Sequence, residues 1–234
     1  MSAARPLAVV LASGGMDSTV AAWLVAREHE LALLHASYGQ RTAARERRSF
    51  EAIADRLALP ALRRRTLEIG FLAALGGSAL TDPSLPIPVE GEGREGAPGL
   101  PVTYVPFRNA HLLAAAVSWA ELLGAQTVVI GAVEEDSSGY PDCRADFLVA
   151  FERAARIGTA LGERISIEAP LVRMTKGEIV RAGALVGAPF ELTWSCYQDE
   201  FEACGRCESC RLRLKGFREA GVADPIPYRA GTVR

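Results

Sequence analysis

A six-residue tract near the N-terminus combines residue types that can hold a phosphate group. It reads Ser-Gly-Gly-Met-Asp-Ser over residues 13–18, and the apolar run 7–11 before it predicts a short buried strand. Adjacent glycines let the backbone point successive N–H groups at an anion, and the N-terminus of the helix predicted to follow adds a partial positive charge. The tract therefore predicts a phosphate-binding loop. The alternative is a plain strand-to-helix turn that Asp17 or Ser18 caps.

This loop matches neither G-x-x-x-x-G-K-[ST] nor G-x-G-x-x-G. Ser13 and Ser18 instead offer hydroxyl donors, and Asp17 would repel a phosphate unless Mg²⁺ lay between them. The hexapeptide resembles the loop of the PP-loop pyrophosphatases, which split ATP into AMP and pyrophosphate. The candidate nucleotide-binding residues at the ends of the first two predicted strands are Leu11, Ala12, Ser13, Gly14, Gly15, Met16, Asp17, Ser18, Thr19, Ser37 and Tyr38.

Four of the five cysteines crowd into fifteen residues near the C-terminus, at Cys196, Cys204, Cys207 and Cys210. Four thiolates in a tetrahedral array select zinc, and a site with four cysteine ligands has no open position, which favours a structural ion. Gly205 permits a tight turn between two of them. An iron–sulfur cluster is the alternative that spacing does not exclude, whereas the two additional cysteines disfavour a redox C-x-x-C pair.

Two polar clusters also follow predicted strands or loops, at residues 104–109 and 134–144. The second comes directly after a buried strand, where ligands of parallel sheets bind, although a surface loop is the alternative. Cys143 lies within it. No histidine is near in sequence to activate this thiol. Cysteines at such positions are more often small, buried packing residues than nucleophiles.

Hydrophobic periodicity predicts an α/β fold in which strands and helices alternate. The predicted strands are 7–11, 31–37, 62–69, 126–131 and 165–168. The predicted helices are 19–27, 43–59, 109–123 (capped by Asn109), 146–161, 174–186 and 208–219. This order predicts a doubly wound, five-stranded parallel sheet with right-handed crossovers and a site at the carboxyl ends of its strands.

One segment interrupts the alternation. Eleven of the 26 residues in 76–101 are Gly or Pro. A disordered linker is one interpretation; we favour a lid, because the segment runs directly into the polar cluster at 104–109. The predicted organisation is an ATP-binding α/β domain over residues 1–190, which includes this lid, and a small zinc-binding segment over 191–234.

Composition restricts the function classes. The 234 residues are 49% hydrophobic and 23% charged, and the net charge of −2 gives no basic footprint for nucleic acid. No targeting signal and no apolar run long enough to span a membrane is apparent. We therefore expect a cytoplasmic protein with small-molecule substrates, no nucleic-acid partner and no membrane contact.

Seven motifs together carry a specific resemblance: S-G-G-M-D-S, Y-G-Q-R, Y-V-P-F-R-N, D-S-S-G-Y-P-D-C-R, M-T-K-G-E-I, W-S-C-Y and C-G-R-C-E-S-C-R-L-R. The chain resembles the bacterial 7-cyano-7-deazaguanine synthases of queuosine biosynthesis, from Val9 to about Tyr228. Many members have histidine after Y-G-Q-R, where this chain has Thr42, so any role of that imidazole is in question here.

The resemblance implies an adenine nucleotide alpha hydrolase-like fold, a homodimer, and an ATP-dependent ligase. Such an enzyme converts 7-carboxy-7-deazaguanine and ammonia to the nitrile through adenylated carboxylate and amide intermediates. The implied catalytic residues are Lys176, Asp17, Arg108 and Arg144. The implied substrate-binding residues are Tyr104, Arg108, Asn109, Glu135, Asp136, Ser138, Tyr140, Asp142 and Arg144.

Simpler roles compete with some of these assignments. Arg108 is also explained as a solvated charge at a helix start, Lys176 as a surface lysine paired with Glu178, and Tyr38 as a core aromatic. Two other functions compete with the ligase: a PP-loop enzyme with a different acceptor, including one that thiolates tRNA, and a non-catalytic nucleotide-binding module.

Overall fold

Five strands form one all-parallel sheet in a computed structural model that describes residues 4–89, 100–134 and 139–232. The strands are β1 (Leu7–Leu11), β2 (Glu30–Ser37), β3 (Arg64–Glu68), β4 (Thr127–Ile130) and β5 (Ser166–Glu168). Their spatial order is β3-β2-β1-β4-β5. The chain therefore reverses its winding direction between β1 and β4, and this switch point is where open parallel sheets bind ligands.

Seven α-helices accompany the sheet in the described part of the chain. They are α1 (Met16–Val25), α2 (Ala43–Arg56), α3 (Phe71–Ala74), α4 (Arg108–Leu123), α5 (Ala145–Gly158), α6 (Lys176–Leu185) and α7 (Glu208–Ala220). Each predicted helix is present, with ends shifted by a few residues. The short helix α3 was not predicted, because four residues are too few to show a helical period.

Helices cover both faces of the sheet, as the doubly wound prediction requires. Alternate side chains of β1 point to opposite faces: Ala8 and Val10 pack in one apolar cluster, and Val9 and Leu11 pack in the other. The first cluster contains residues of α1, α2 and α6, and the second contains residues of α4 and α5. The central strands β1, β2 and β4 are thus buried on both faces, which explains their largely apolar sequences, whereas the edge strands β3 and β5 are only partly buried and more polar.

The predicted cap of α4 is wrong. The helix begins at Arg108 after Phe107, whose backbone is left-handed at φ +56°, so Asn109 lies inside the first turn. The carboxylate of Asp142 accepts a hydrogen bond from the Asn109 backbone N–H at 2.8 Å. A residue from a distant loop therefore satisfies this helix terminus, and local sequence does not reveal such a cap.

The C-terminal segment is joined to the α/β core through α7, which packs along α6. Arg213 on α7 is fully buried and forms a two-pronged ion pair with Asp224, at 2.8 and 2.9 Å. The same guanidinium donates to Thr193 Oγ1 at 2.7 Å and to the Phe190 carbonyl. The division into domains at residue 190 stays a prediction, but these contacts fix the segment against the core.

The proline- and glycine-rich segment predicted as a lid is described for residues 76–89 and 100–101. Ala79 and Ile87 are buried in the same apolar cluster as the four C-terminal cysteines, and Val89 forms a β-bridge with Cys207. Residues 90–99 lie outside the described part. The opening and closing of a lid stays a prediction.

No helix in the described ranges is long and apolar enough to cross a membrane.

Candidate active site

The loop of residues 13–18 joins β1 to α1 at the switch point of the sheet. Gly14 has φ +84°, and a Cβ atom there would lie 2.5 Å from the Glu46 carbonyl oxygen, so glycine is required. The Gly14 carbonyl accepts a hydrogen bond from the backbone N–H of Trp194 at 2.9 Å. The loop is therefore held between α2 and the chain just before the cysteines.

The polar groups of this loop are arranged around the start of α1. The hydroxyls of Ser13 and Ser18 lie 3.1 Å apart, and Ser13 Oγ accepts from the Gly15 N–H at 3.2 Å. Gly15 is the N-cap, with no side chain to bond the first-turn N–H groups. The alternative of a helix capped by Asp17 or Ser18 is therefore wrong. The uncapped helix terminus and two hydroxyls form a ready binding place for an anion.

Asp17 and Lys176 form a close ion pair, with Asp17 Oδ2 and Lys176 Nζ 2.6 Å apart. Lys176 is the first residue of α6, which Thr175 and Glu178 cap in a capping box, and it is buried. The alternative of a surface lysine paired with Glu178 is therefore wrong. The other carboxylate oxygen of Asp17 is buried, and no described residue hydrogen-bonds to it. A carboxylate oxygen left open beside an anion site fits Mg²⁺, which prefers oxygen ligands.

A cavity of about 290 Å³ opens in front of the loop. Eight of the predicted nucleotide-binding residues line it: Leu11, Ala12, Ser13, Gly15, Met16, Asp17, Ser18 and Tyr38. Gly14, Thr19 and Ser37 do not line it. The Thr19 hydroxyl donates to the Gly15 carbonyl at 2.8 Å, and the Ser37 carbonyl pairs with the Ile69 N–H at the sheet edge. These three residues support the loop and strand from behind.

Arg108 lies between two tyrosine rings on another wall of the cavity. Its guanidinium carbon is 5.5 Å from the ring centre of Tyr38 and 5.9 Å from that of Tyr140, and its Nη1 donates to the Tyr38 hydroxyl at 3.2 Å. Burial alone would lower the pKa of Arg108, but the two tyrosines and Asp142 raise it above its ordinary value. The alternative of a solvated charge is wrong, and the guanidinium is a fixed cation facing the cavity.

Asn109, Asp142 and Cys143 form a compact unit at the start of α4. The Asn109 amide donates to the Asp142 carbonyl at 3.0 Å and to Cys143 Sγ at 3.2 Å. Burial raises the pKa of Cys143 to about 11, so this thiol is protonated at neutral pH. A protonated thiol is a poor nucleophile, which favours the interpretation of Cys143 as a buried packing residue.

Several other predicted residues do not face the cavity. Arg144 is exposed and is the N-cap of α5. The Tyr104 ring packs against Tyr140 at a tilt of 43°, with 5.5 Å between the ring centres. The Tyr104 hydroxyl accepts from the Phe107 N–H at 3.1 Å. Asp142 points to the helix terminus described above. The remaining predicted substrate residues, Glu135, Asp136 and Ser138, lie outside the described part of the chain.

The structure adds cavity residues that sequence reasoning did not assign. Glu46 on α2 accepts hydrogen bonds from Gln40 Nε2 at 2.8 Å and from Thr42 Oγ1 at 2.9 Å. Glu46 lines the cavity, and its burial there raises the pKa of its carboxyl group above the ordinary value. Trp194 and Tyr197 from the W-S-C-Y motif also line the cavity. This motif contributed to the family resemblance, but its spacing did not indicate a role for its aromatic residues.

Helix α7 contributes a last wall. Its first residue, Glu208, lines the cavity together with Ser209 and Leu212. The partly buried side chain of Tyr197 also lines the cavity, and Tyr140, Glu208 and Arg108 are among the groups that act on it electrostatically. Burial raises the pKa of Tyr197 well above its ordinary value, so it stays neutral.

The four predicted cysteine ligands meet behind this wall. The sulfurs of Cys196, Cys204, Cys207 and Cys210 all lie within 4.8 Å of one another and are buried. Gly205 has φ +69°, as the predicted tight turn requires. Backbone N–H groups donate to the sulfurs, for example Cys207 N–H to Cys204 Sγ at 3.3 Å. The cluster could hold a metal ion, and these N–H groups would stabilise its thiolates.

The fold and site define an α/β protein with an anion-binding loop at the sheet switch point and a four-cysteine cluster beside the same cavity. A family model described as "Queuosine biosynthesis protein QueC" matches residues 7–221. Proteins named 7-cyano-7-deazaguanine synthase are also similar. The one from Koribacter versatilis is 56% identical over 94% of this chain and 92% of its own length. Those from Acidobacterium capsulatum and Chlorobium phaeobacteroides are 55% and 52% identical, over 97% and 94% of this chain and 99% and 96% of their own. The chain belongs to the QueC family.

Proposed function

We propose that this protein is an ATP-dependent carbon–nitrogen ligase that converts 7-carboxy-7-deazaguanine and ammonia to 7-cyano-7-deazaguanine. The observation that carries the proposal is one cavity lined both by the anion-binding loop with its Asp17–Lys176 pair and by Arg108 between its two tyrosines. The loop suits the phosphates of ATP, and the guanidinium suits a carboxylate, which it can bind through two parallel hydrogen bonds.

The reaction has two adenylations. A carboxylate oxygen attacks the α-phosphorus of ATP and pyrophosphate leaves; ammonia then displaces AMP and gives the amide. The amide oxygen attacks a second ATP in the same way. The amide nitrogen then loses both of its protons as the bond from carbon to the AMP oxygen breaks, which leaves the nitrile. Each ATP gives AMP and pyrophosphate, so pyrophosphate is the group that the loop must hold.

The residues of the loop suit that task. Ser13, Ser18 and the first-turn N–H groups of α1 would bind the pyrophosphate oxygens. Asp17 would hold Mg²⁺, which neutralises phosphate charge when bound. The buried Lys176 ammonium would then stabilise the negative charge that develops at phosphorus, and we assign it that catalytic role.

We propose zinc as the ion of the four-cysteine cluster. A tetrahedral ion with bonds of about 2.3 Å to sulfur holds its four sulfurs just under 4 Å apart. Cys204 Sγ and Cys210 Sγ are 3.9 Å apart, and all four sulfurs lie within 4.8 Å of one another. A cluster of four irons places further atoms between the ligands and needs a wider cage, so the separations favour a single ion.

The direct test is to incubate the zinc-loaded protein with ATP, Mg²⁺, ammonium and 7-carboxy-7-deazaguanine. Mass spectrometry of the base should show the nitrile, and chromatography should show AMP. Formation of ADP would keep the ligase but contradict the role of the loop. A folded, zinc-loaded protein that gives no product would favour a PP-loop enzyme with another acceptor. A cytoplasmic location, a homodimer and the absence of a nucleic-acid partner stay predictions.

A further inference from the structure

The cavity contains carboxylates of two kinds, engaged and open. Within the described residues, three acidic side chains line it: Asp17, Glu46 and Glu208. Asp17 is tied to Lys176 in the phosphate loop, and both oxygens of Glu46 accept hydrogen bonds from its neighbours. In the same described part, no hydrogen bond or ion pair engages the carboxylate of Glu208, although the exposed Arg211 one turn further on acts on it electrostatically. Asp17 also has one oxygen without a partner, but it belongs to the phosphate loop, where we propose that it binds Mg²⁺. Among the described lining residues, Glu208 is thus the carboxylate with acceptor capacity left for the base.

Glu208 is also held in place. It is the first residue of α7, directly after Cys207, which is the N-cap of the helix, and Cys210 lies in the same turn. Arg213, one turn further along, is locked by Asp224 and by Thr193 Oγ1. Because the backbone at Glu208 is fixed by the start of α7 and the buried ion pair, only its side-chain torsions lose freedom when it binds a ligand, which lowers the entropic cost of binding.

The base that the proposed function requires has one edge of hydrogen-bond donors that matches a carboxylate. A 2-amino-4-oxopyrimidine ring presents an N–H and an adjacent NH₂ side by side, and a carboxylate can accept both in a bidentate pair. The 7-carboxyl group lies on the other ring, away from these donors. Arg108, Tyr197 and Glu208 all line the one cavity, so a base bound there is offered a guanidinium and a carboxylate by the same site.

We infer that Glu208 is the specificity-determining residue for the base, accepting hydrogen bonds from its ring N–H and 2-amino group while Arg108 binds its carboxylate. This inference rests on the proposed function. It also gives the cysteine cluster a second task, because the metal ion fixes the start of the helix that presents this carboxylate. Asp142, which the resemblance implied to be a substrate-binding residue, instead accepts a hydrogen bond from the backbone at the N-terminus of α4.

The test is calorimetric binding of 7-carboxy-7-deazaguanine to the zinc-loaded protein, compared with the analogue that lacks the 2-amino group. The wild-type protein should bind the analogue more weakly by roughly 10- to 100-fold, the range for paired hydrogen bonds to a charged group. Glu208→Ala should lose a similar factor for the natural base and should no longer distinguish the two ligands. Glu208→Gln should recover little, because its NH₂ group opposes a donor.

Glu202→Gln is the matched control, since Glu202 is exposed and, like Glu208, lies close in sequence to a cysteine of the cluster. It should bind both ligands as the wild-type protein does. Metal content and melting temperature show that each variant is folded and loaded. In turnover, Glu208→Ala should raise KM for the base and leave KM for ATP unchanged.

The outcomes separate the two proposals. A wild-type protein that neither binds nor converts the base contradicts the proposed function itself. A wild-type protein that does so, with a loaded Glu208→Ala variant that still favours the base over its analogue by the same factor, overturns only the assignment of Glu208.

Discussion

The phosphate loop of residues 13–18 and the cysteine segment of residues 196–210 serve one cavity but are held by different forces. The loop follows a buried strand at the centre of the sheet, and its shape depends on backbone conformation and on the close contact of Gly14 with α2. The cysteine segment lies outside the sheet. It depends on four sulfurs, a small apolar cluster and the buried Arg213–Asp224 pair.

This difference shows how the two halves of the site divide their work. The loop is built from groups common to many anion sites, because helix N-termini and hydroxyls bind phosphate of any origin. Tyr197 and Glu208 of the cysteine segment, and Trp194 just before it, also line the cavity, and such side chains can recognise a particular ring. The two regions touch where the Trp194 N–H bonds the Gly14 carbonyl. We expect ATP to depend on the first region and the base on the second.

The largest expected effect comes from breaking the cysteine cluster with Cys210→Ser. Structural zinc contributes on the order of 10 kcal/mol to folding in small zinc domains, so the variant should lose its metal ion and the order of this segment. Binding of the base should be lost, whereas ATP should bind with an affinity closer to that of the wild-type protein. Mass spectrometry of bound metal and calorimetry with each ligand check this.

Cys143→Ser is the control for that experiment, because Cys143 is buried but lies outside the cluster. It should keep one metal ion per chain. Equal loss of ATP and base affinity in Cys210→Ser would contradict the division of work between the two regions.

Lys176→Ala should give the next largest effect, a loss of turnover that comes from the phosphate loop rather than from the cysteine segment. Removing one preorganised charge from a transition state typically costs 10²- to 10³-fold in kcat, and we expect a loss of about that size. Affinity for the base should change little, as measured by calorimetry. Lys215→Ala, on a partly exposed position of α7, is the matched control and should retain turnover. If Lys176→Ala kept the wild-type kcat, Lys176 would not stabilise the charge at phosphorus as we propose.

Gly14→Ala tests whether backbone geometry holds the loop. Left-handed strain costs about 1–3 kcal/mol for a residue with a side chain, and the new Cβ atom would also collide with the Glu46 carbonyl. We expect a loss of stability above that range and weaker ATP binding. Gly77→Ala separates backbone strain from collision, because Gly77 has φ +81° but open space around it. Urea unfolding should show a smaller loss of stability for Gly77→Ala than for Gly14→Ala. Equal losses of stability would refute the importance of the close contact.

Glu46→Gln should give the smallest effect, which depends on pH. Burial raises the pKa of Glu46 above its ordinary value of 4.5, so the folded protein holds this proton more tightly than the unfolded chain. Stability from this group is present below that value and is lost as pH rises through the raised pKa. As pH rises through the raised pKa, Glu46→Gln should therefore gain on the order of 1 kcal/mol in free energy of unfolding relative to the wild-type protein. Urea unfolding at several pH values from 4 to 8 checks the sign.

Sequence predicted the parts of this molecule that depend on local signals. The doubly wound parallel sheet follows from alternating strands and helices, and the loop and the cysteine cluster follow from residue types at short spacing. Lys176 was assigned its place from the resemblance alone. Its partner, Asp17, lies 159 residues away, and no periodicity connects the two.

The parts that sequence did not predict depend on tertiary packing. Asp142 has the type of residue that recognises a base, yet it satisfies a helix terminus 33 residues away. Glu208 looked like an ordinary first-turn residue, and only the position of α7 turns it to the cavity. The role of a carboxylate depends on which donors the fold places within hydrogen-bond distance of it.

The central claim is that the loop holds pyrophosphate while the substrate is activated in the same cavity. ATP–pyrophosphate exchange with labelled pyrophosphate, in the absence of ammonium, tests it most directly. We predict that label enters ATP only when 7-carboxy-7-deazaguanine is present, because only then does a reversible adenylate form. Turnover of ATP to ADP and phosphate under these conditions, with no exchange, would contradict the account.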